Sequence, residues 1–305
     1  MARLLTGFYG WMVVLIPLLS GCDTAPSTVI GPVYERSKQE ERLLYRLAVH
    51  PLHNPQKLAQ AYQPLIDYLN HHIDWARFEL EASRDYQSYE AKLRQRQPDL
   101  LLPNPWQTLE AMKVGYRVIA MAGDAADFKG LFLLRHDSPI KSLDDIRGRS
   151  VSYPSPTALA AAIMPQRFLY DNGIDINREI DNRYVGSQES SIFNVLLGEV
   201  DVGVTWPIPW RLFQRDHPAR AKELFVAWET PQLLNNSVMI RNDLPPTLAK
   251  QLLPLLLQLH QHPEGRDILR QMETAKFHAS NDESYHSVRQ FITDFERHIR
   301  PVEPF

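Results

Sequence analysis

Two hydrophobic periods alternate along the chain from residue 44 onward. Residues 44–49 alternate apolar and polar positions with period two, the pattern of a half-buried strand, and His50-Pro51 ends it. Residues 56–71 then switch to helical spacing, with Leu58, Ala61, Tyr62, Leu65, Ile66 and Leu69 on one face. The same reading predicts strands over residues 75–80, 99–102, 116–121, 130–135, 150–152, 182–185, 200–205, 224–228 and 237–240. It predicts helices over residues 86–96, 107–114, 142–146, 157–172, 190–197, 248–261, 264–273 and 282–298, with Pro165 inside the fourth. Strand and helix alternate with short connections, which predicts an α/β fold with mainly parallel sheets and helices on both faces.

The first 22 residues do not fit this alternation. Arg3 precedes an apolar run that starts near Phe8 and ends with Leu15, Ile16, Leu18 and Leu19, and no Asp or Glu occurs before Cys22. The run is shorter than the roughly 20 residues needed to span a bilayer and contains Gly10 and Pro17, so it reads as a cleaved signal segment. Leu19-Ser20-Gly21-Cys22 resembles a bacterial lipobox. That resemblance implies cleavage before Cys22, acylation of the Cys and a stable lipid anchor. Asp23 resembles the signal that keeps such proteins at the inner membrane, which implies a location on the periplasmic side of that membrane. Residues 24–42, with Pro26, Gly31 and Pro32, read as a tether.

Composition narrows the function classes. Of 305 residues, 33 are Lys or Arg and 36 Asp or Glu, a net charge of −3, so the basic stripe of a nucleic-acid binder is absent. Cys22 is the lone cysteine, which excludes an intrachain disulfide and a cysteine metal cluster. The eleven histidines fall at no HExxH-like spacing, and GxSxG, GxxxxGK[ST] and GxGxxG are all missing. The chain therefore reads as a non-enzyme without cofactor or metal.

Ligands of open α/β sheets bind beyond the carboxyl ends of strands, where helices begin. Three such corners are rich in amides and hydroxyls: Asn104 to Thr108, Tyr153 to Thr157, and Gly186 to Ser191. Each offers N–H and O–H donors at the positive end of a helix, which suits an oxyanion, although Ser, Thr and Asn also sit there simply as helix caps. Trp106, Trp206 and Trp210 fall in predicted loops after strands and could wall a cleft, as could Tyr153. Glu189 and Asp201 read as solvated or capping carboxylates.

The residues over 47–69, Ile140 to Gly148, 151–165, Tyr184 to Ser187, Gly198 to Thr205, Asn242 to Pro245 and Asp282 to Tyr285 resemble, in order, those of phosphonate/phosphate-type solute-binding proteins of ABC transporters. The resemblance covers nearly all of residues 44–295. It implies a two-lobed type II periplasmic-binding-protein fold with crossovers near residues 130–135 and 224–235. Lobe one would hold residues 44–131 and 229–305, and lobe two residues 132–228. It implies a monomer that captures a small oxyanion (phosphonate, phosphate or phosphite-like) between the lobes for an ABC permease. The alternative is a lipoprotein that reports a ligand to a membrane histidine kinase. The ligand-binding residues implied are His50, Asn104, Trp106, Tyr153, Ser155, Thr157, Ser187, Gln188, Thr205 and Trp206. The sequence departs from the family at Pro156, which removes an N–H donor, at Ala158 where a Gly is usual, and at Gln188 where a His is common.

Overall fold

The computed structural model describes residues 42–303. Cys22, Asp23, the signal segment and most of the tether lie outside the described residues. The first half of the described chain runs β1 (Leu43–Val49), α1 (Pro55–His72), β2 (Ala76–Glu81), α2 (Tyr86–Arg94), β3 (Leu100–Leu102), α3 (Pro105–Lys113), β4 (Tyr116–Ala122), β5 (Leu131–Arg135), β6 (Ser150–Tyr153) and α4 (Met164–Asp171). Then follow β7 (Asp181–Tyr184), α5 (Gln188–Leu196), β8 (Val202–Thr205), α6 (Pro207–Asp216), α7 (Pro218–Ala221), β9 (Leu224–Glu229), β10 (Ser237–Arg241), α8 (Pro246–Gln258), α9 (Pro263–Gln271), β11 (Phe277–Ala279) and α10 (His286–His298).

The strands form two sheets. One has the order β11-β4-β10-β3-β1-β2, the other β7-β6-β8-β5-β9. Both sheets are mixed rather than mainly parallel: β1 runs parallel to β2 and β3, and β6 to β7 and β8, whereas β10, β4, β11, β5 and β9 pair antiparallel. The reason is that the chain leaves the first sheet after β4 and re-enters it at β10, so the returning strand runs against its neighbours. The two connections lie side by side. Gly130 N–H donates to Thr230 Oγ1 (2.8 Å), Thr230 N–H to Gly130 O (3.0 Å) and Leu233 N–H to Phe128 O (3.0 Å).

Local sequence explains most elements. On α1, Asn54 caps Lys57 N–H at 3.0 Å, Pro55 starts the helix, and the stripe from Leu58 to Leu69 is buried. β3 is Leu-Leu-Leu, buried throughout, and sits between β1 and β10 in the middle of its sheet. The predicted helix over 157–172 is two pieces. A π turn over Leu159–Ile163 comes first, closed by Ile163 N–H to Ala158 O (3.2 Å), and α4 begins at Met164 with Pro165 in its first turn.

Trp106 and Trp210 are not in loops but within α3 and α6. Pro207 and Pro209 lie in the first turn of α6, where the N–H groups they lack would have no helical partner. Trp206 sits at the N-cap. Trp210 packs flat on Phe213 (5.8 Å between centroids) in a small apolar cluster with Ile192 and Val195.

Candidate functional site

The three corners converge between the two sheets. Asn104 opens α3 with a reciprocal cap: its Oδ1 accepts from Gln107 N–H (3.0 Å), and Gln107 Oε1 accepts from Asn104 N–H (3.1 Å). The other end of the Asn104 amide crosses to the second corner, where Nδ2 donates to Thr157 O at 3.1 Å. Across the third corner, Gln188 Nε2 donates to Tyr86 Oη (3.2 Å), and Thr205 Oγ1 donates to Gln188 Oε1 (3.1 Å). Residues far apart in sequence are thus tied by polar groups that are all nearly buried.

A small cavity of about 10 Å³ lies here, lined by His50, Tyr86, Asn104, Phe128, Gln188, Trp206 and the run Ala158 to Ala161. That is room for about one water. No Lys or Arg is among its described lining residues. Instead, the run at its wall is the start of the π turn, whose first N–H groups have no carbonyl earlier in the helix to bond. His50 is 2% exposed; its Nδ1 is 2.9 Å from Leu102 O, and burial pulls its pKa down to about 4, so the ring is neutral at physiological pH. With Nδ1–H donating to that carbonyl, Nε2 is left as the acceptor.

The remaining expected residues fall elsewhere. Ser155 and Thr157 hydroxyls bond each other (2.9 Å) beside the cavity without lining it. Thr205 stands behind Gln188. Ser187 is a plain helix cap, accepting from Ser190 N–H at 3.1 Å. Trp106 is 3% exposed and belongs to the main core. Tyr153 is buried against Tyr184 (5.6 Å), away from the cavity lining. Asp201 Oδ2 accepts from Ser150 N–H (2.9 Å) and Oγ (2.8 Å), a strand-end clamp.

Glu90 is the residue that pattern reading passed over. It is 2% exposed, and its Oε1 accepts from Thr157 Oγ1 (2.6 Å) and Gln107 Nε2 (3.0 Å). Burial raises its pKa above the ordinary Glu value, against the pull of those two donors and of Arg94. A signal was present: Tyr86, Tyr89, Glu90 and Leu93 share the i, i+3, i+4, i+7 face that α2 buries.

A second, larger cavity of about 290 Å³ lies one residue along α5, lined by His53, Lys57, Glu189, Leu212, Phe213 and Asp216 among others. Lys57 Nζ bridges α1 to Glu189 (2.6 Å) and Asp216 (3.3 Å). The larger space is therefore beside the three corners rather than at them, and the amide and hydroxyl donors sit at the smaller one.

Residues 47–285 match the family model for the ABC transporter, phosphonate, periplasmic substrate-binding protein. The chain belongs to that family. Among relatives of this phosphonate-binding family, the chain is 22% identical over 186 residues to a protein of Prochlorococcus marinus named a probable ABC transporter phosphite binding protein. That match takes in 57% of this chain and 63% of the relative, so under two thirds of the relative's length is spanned. The structure of a binding protein component of an ABC phosphonate transporter from Pseudomonas aeruginosa superposes with a TM-score of 0.78 at 18% identity, over 84% of this chain and 88% of that one. A Prochlorococcus marinus protein solved in complex with methylphosphonate superposes at 0.75 and 18%, over 83% and 98%. The two-sheet architecture is the periplasmic-binding-protein fold.

Proposed function

We propose that this chain captures a small oxyanion of the phosphonate class between its two sheets and delivers it to an ABC permease while held to the membrane through acylated Cys22. The observation that carries the ligand class is the wall of the smaller cavity. N–H groups of the π turn that lack a helical carbonyl, with the Gln188 amide beside them and the Asn104 amide on the other side, offer donors at a helix start, and no Lys or Arg is among the described residues that line the cavity. An acidic chain has no bulk field to attract an anion, so fixed dipoles would have to do it.

A cavity of about 10 Å³ does not hold methylphosphonate. Entry therefore requires the sheets to part, and the two adjacent connections at Gly130 and Thr230 are the hinge this reading assigns. On that division, residues 44–131 and 229–305 move against residues 132–228. Closure favours the bound state only if the ligand touches both halves, which Asn104 on one side and Gln188 with the π turn on the other allow.

Thermal melting with methylphosphonate, phosphite, phosphate and methanesulfonate tests the reading. A ligand at a hundredfold excess over Kd adds about 2.7 kcal/mol, a rise of roughly 5–10 °C for a chain of this size. Absence of any shift with all four would refute the oxyanion assignment. For the anchor, Cys22→Ser is expected to move the chain from the membrane to the soluble fraction; retention in the membrane would refute it.

A further inference from the structure

Beside the three corners lies more space than a small oxyanion needs. The larger cavity, about 290 Å³, is close to the lower end of the range for small-molecule pockets, about 300–1,000 Å³. By comparison, an apolar cavity of about 150 Å³ holds a benzene molecule. Three chain segments each give a residue to both cavities. His50 and His53 share the loop before α1, Gln188 and Glu189 open α5, and Trp206 and Pro209 stand at the start of α6. Consecutive Cα atoms are about 3.8 Å apart, so at Gln188 and Glu189 the two walls begin side by side.

Carbon surface and paired charges make up the lining of the larger cavity. Ala61, Ile192, Pro209, Leu212 and Phe213 supply the carbon. Its Lys and Arg are already held: Lys57 by Glu189 (2.6 Å) and Asp216 (3.3 Å), Arg215 by Asp216 (3.2 Å) and Glu273 (3.2 Å). A charged ligand group would give up its water here and find no free counter-ion. His53 is a buried polar group left over. It is 8% exposed, its ring makes no hydrogen bond among the described residues, and burial, then Lys57, pull its pKa down to about 4. The neutral ring keeps one donor and one acceptor for a ligand.

From this arrangement we infer that the phosphonate taken by this chain carries an uncharged organic tail, apolar over most of its length, which lies in the larger cavity while the oxyanion meets the three corners. The inference rests on the oxyanion reading above and names the substrate class of that site. A hydroxyl or ether oxygen on the tail is the group that His53 can meet. The tail also serves closure. α1 walls the cavity from one half of the chain and α5 and α6 from the other, so a group that fills it touches both halves.

Methylphosphonate, hexylphosphonate and 6-aminohexylphosphonate, titrated calorimetrically against the full chain, test the inference. Each methylene that becomes buried strengthens binding about fourfold, so hexylphosphonate is expected to bind at least about tenfold more tightly than methylphosphonate. It should exceed the ammonium-tailed ligand by a similar factor, about tenfold, because that charge must be desolvated. Ala61 lies on α1, outside the three corners. Ala61→Phe puts a ring into the larger cavity and should remove most of the hexylphosphonate advantage while leaving methylphosphonate affinity unchanged. If that variant loses cooperative melting, Gln271→Phe fills the same space from the end of α9. Hexylphosphonate no tighter than methylphosphonate, or an advantage that the filled cavity leaves intact, would overturn the tail site with oxyanion capture still standing. Equal weakening of both ligands by the filler would put the phosphonate group itself in the larger cavity and overturn the division between the two spaces. Aminohexyl binding as tight as hexyl would overturn the uncharged tail. Binding of no phosphonate at all would overturn the oxyanion reading as well.

Discussion

Gly203 lies on β8, directly under α5, and its missing side chain sets how closely that helix approaches. A Cβ at this position would sit 2.4 Å from Val195 Cγ1, 2.9 Å from Ser191 O and 3.0 Å from Val195 Cβ. Carbon atoms prefer about 3.5–4.0 Å, so Gly203→Ala forces α5 outward by roughly 1 Å. The helix is not free to give. Ser191 Oγ lies 2.9 Å from Ser152 O and 2.7 Å from Val204 O, and Ser152 Oγ donates back to Ser191 O at 3.0 Å. Overpacking of this kind costs about 1–3 kcal/mol. For a chain of this length that is a fall in Tm of roughly 2–12 °C. The first turn of α5 carries Gln188, tied to Thr205 two residues beyond Gly203, so ligand affinity should fall together with stability. Circular-dichroism melting and ligand titration read the two effects. An unchanged Tm, or a destabilised variant with native affinity, would refute the claim that α5 and β8 position the third corner through this contact.

Three further outcomes follow from buried polar groups. Because burial raises the Glu90 pKa, stability tied to that group is complete below the unfolded value of about 4.5 and is lost as pH rises through the folded one. Glu90→Gln should therefore raise Tm at pH 8 and have less effect at pH 4; the reverse order would contradict the assigned burial cost. His50 and His53 are both held down to about 4, His53 by burial first and Lys57 second. The unfolded chain takes these protons from about pH 6.5 downward while the folded chain refuses them. Each should cost on the order of 3 kcal/mol between pH 6.5 and 4, so urea midpoints should drop steeply there and less steeply in His53→Gln. Thr157→Val removes the hydroxyl that Glu90 holds, a bond to a charged group of about 1.5–3 kcal/mol. Its Tm should fall less when Glu90→Gln is already present, and additive losses in that double-mutant cycle would refute the coupling.

How much of this was legible in the sequence varies with the physics of each segment. α1 was plain because one amphipathic stripe runs its full length behind a cap and a proline. α6 was hidden because Trp-Pro-Ile-Pro reads as a stiff loop, yet both prolines occupy a first turn that tolerates them. β11 is only three residues long, too short for a period to show. In the site, Asn104 and Gln188 were visible as amides at helix starts, and both line the cavity. Trp106 carried the same positional signal but turned into the core, since position at a corner does not say which way a large ring packs. Glu90 sat on an apolar face where a charge is unexpected. Its partners Thr157 and Gln107 are 67 and 17 residues away, and only the folded chain brings them together.

Capture of a small oxyanion between the two sheets is the central claim, and calorimetric titration of the purified chain with methylphosphonate at pH 6.5 tests it most directly. The account predicts saturable binding of one ligand per chain, weakened at least tenfold by Asn104→Ala, which removes an amide from the cavity wall. Absence of binding heat at millimolar methylphosphonate, or binding that Asn104→Ala leaves unchanged, would contradict it.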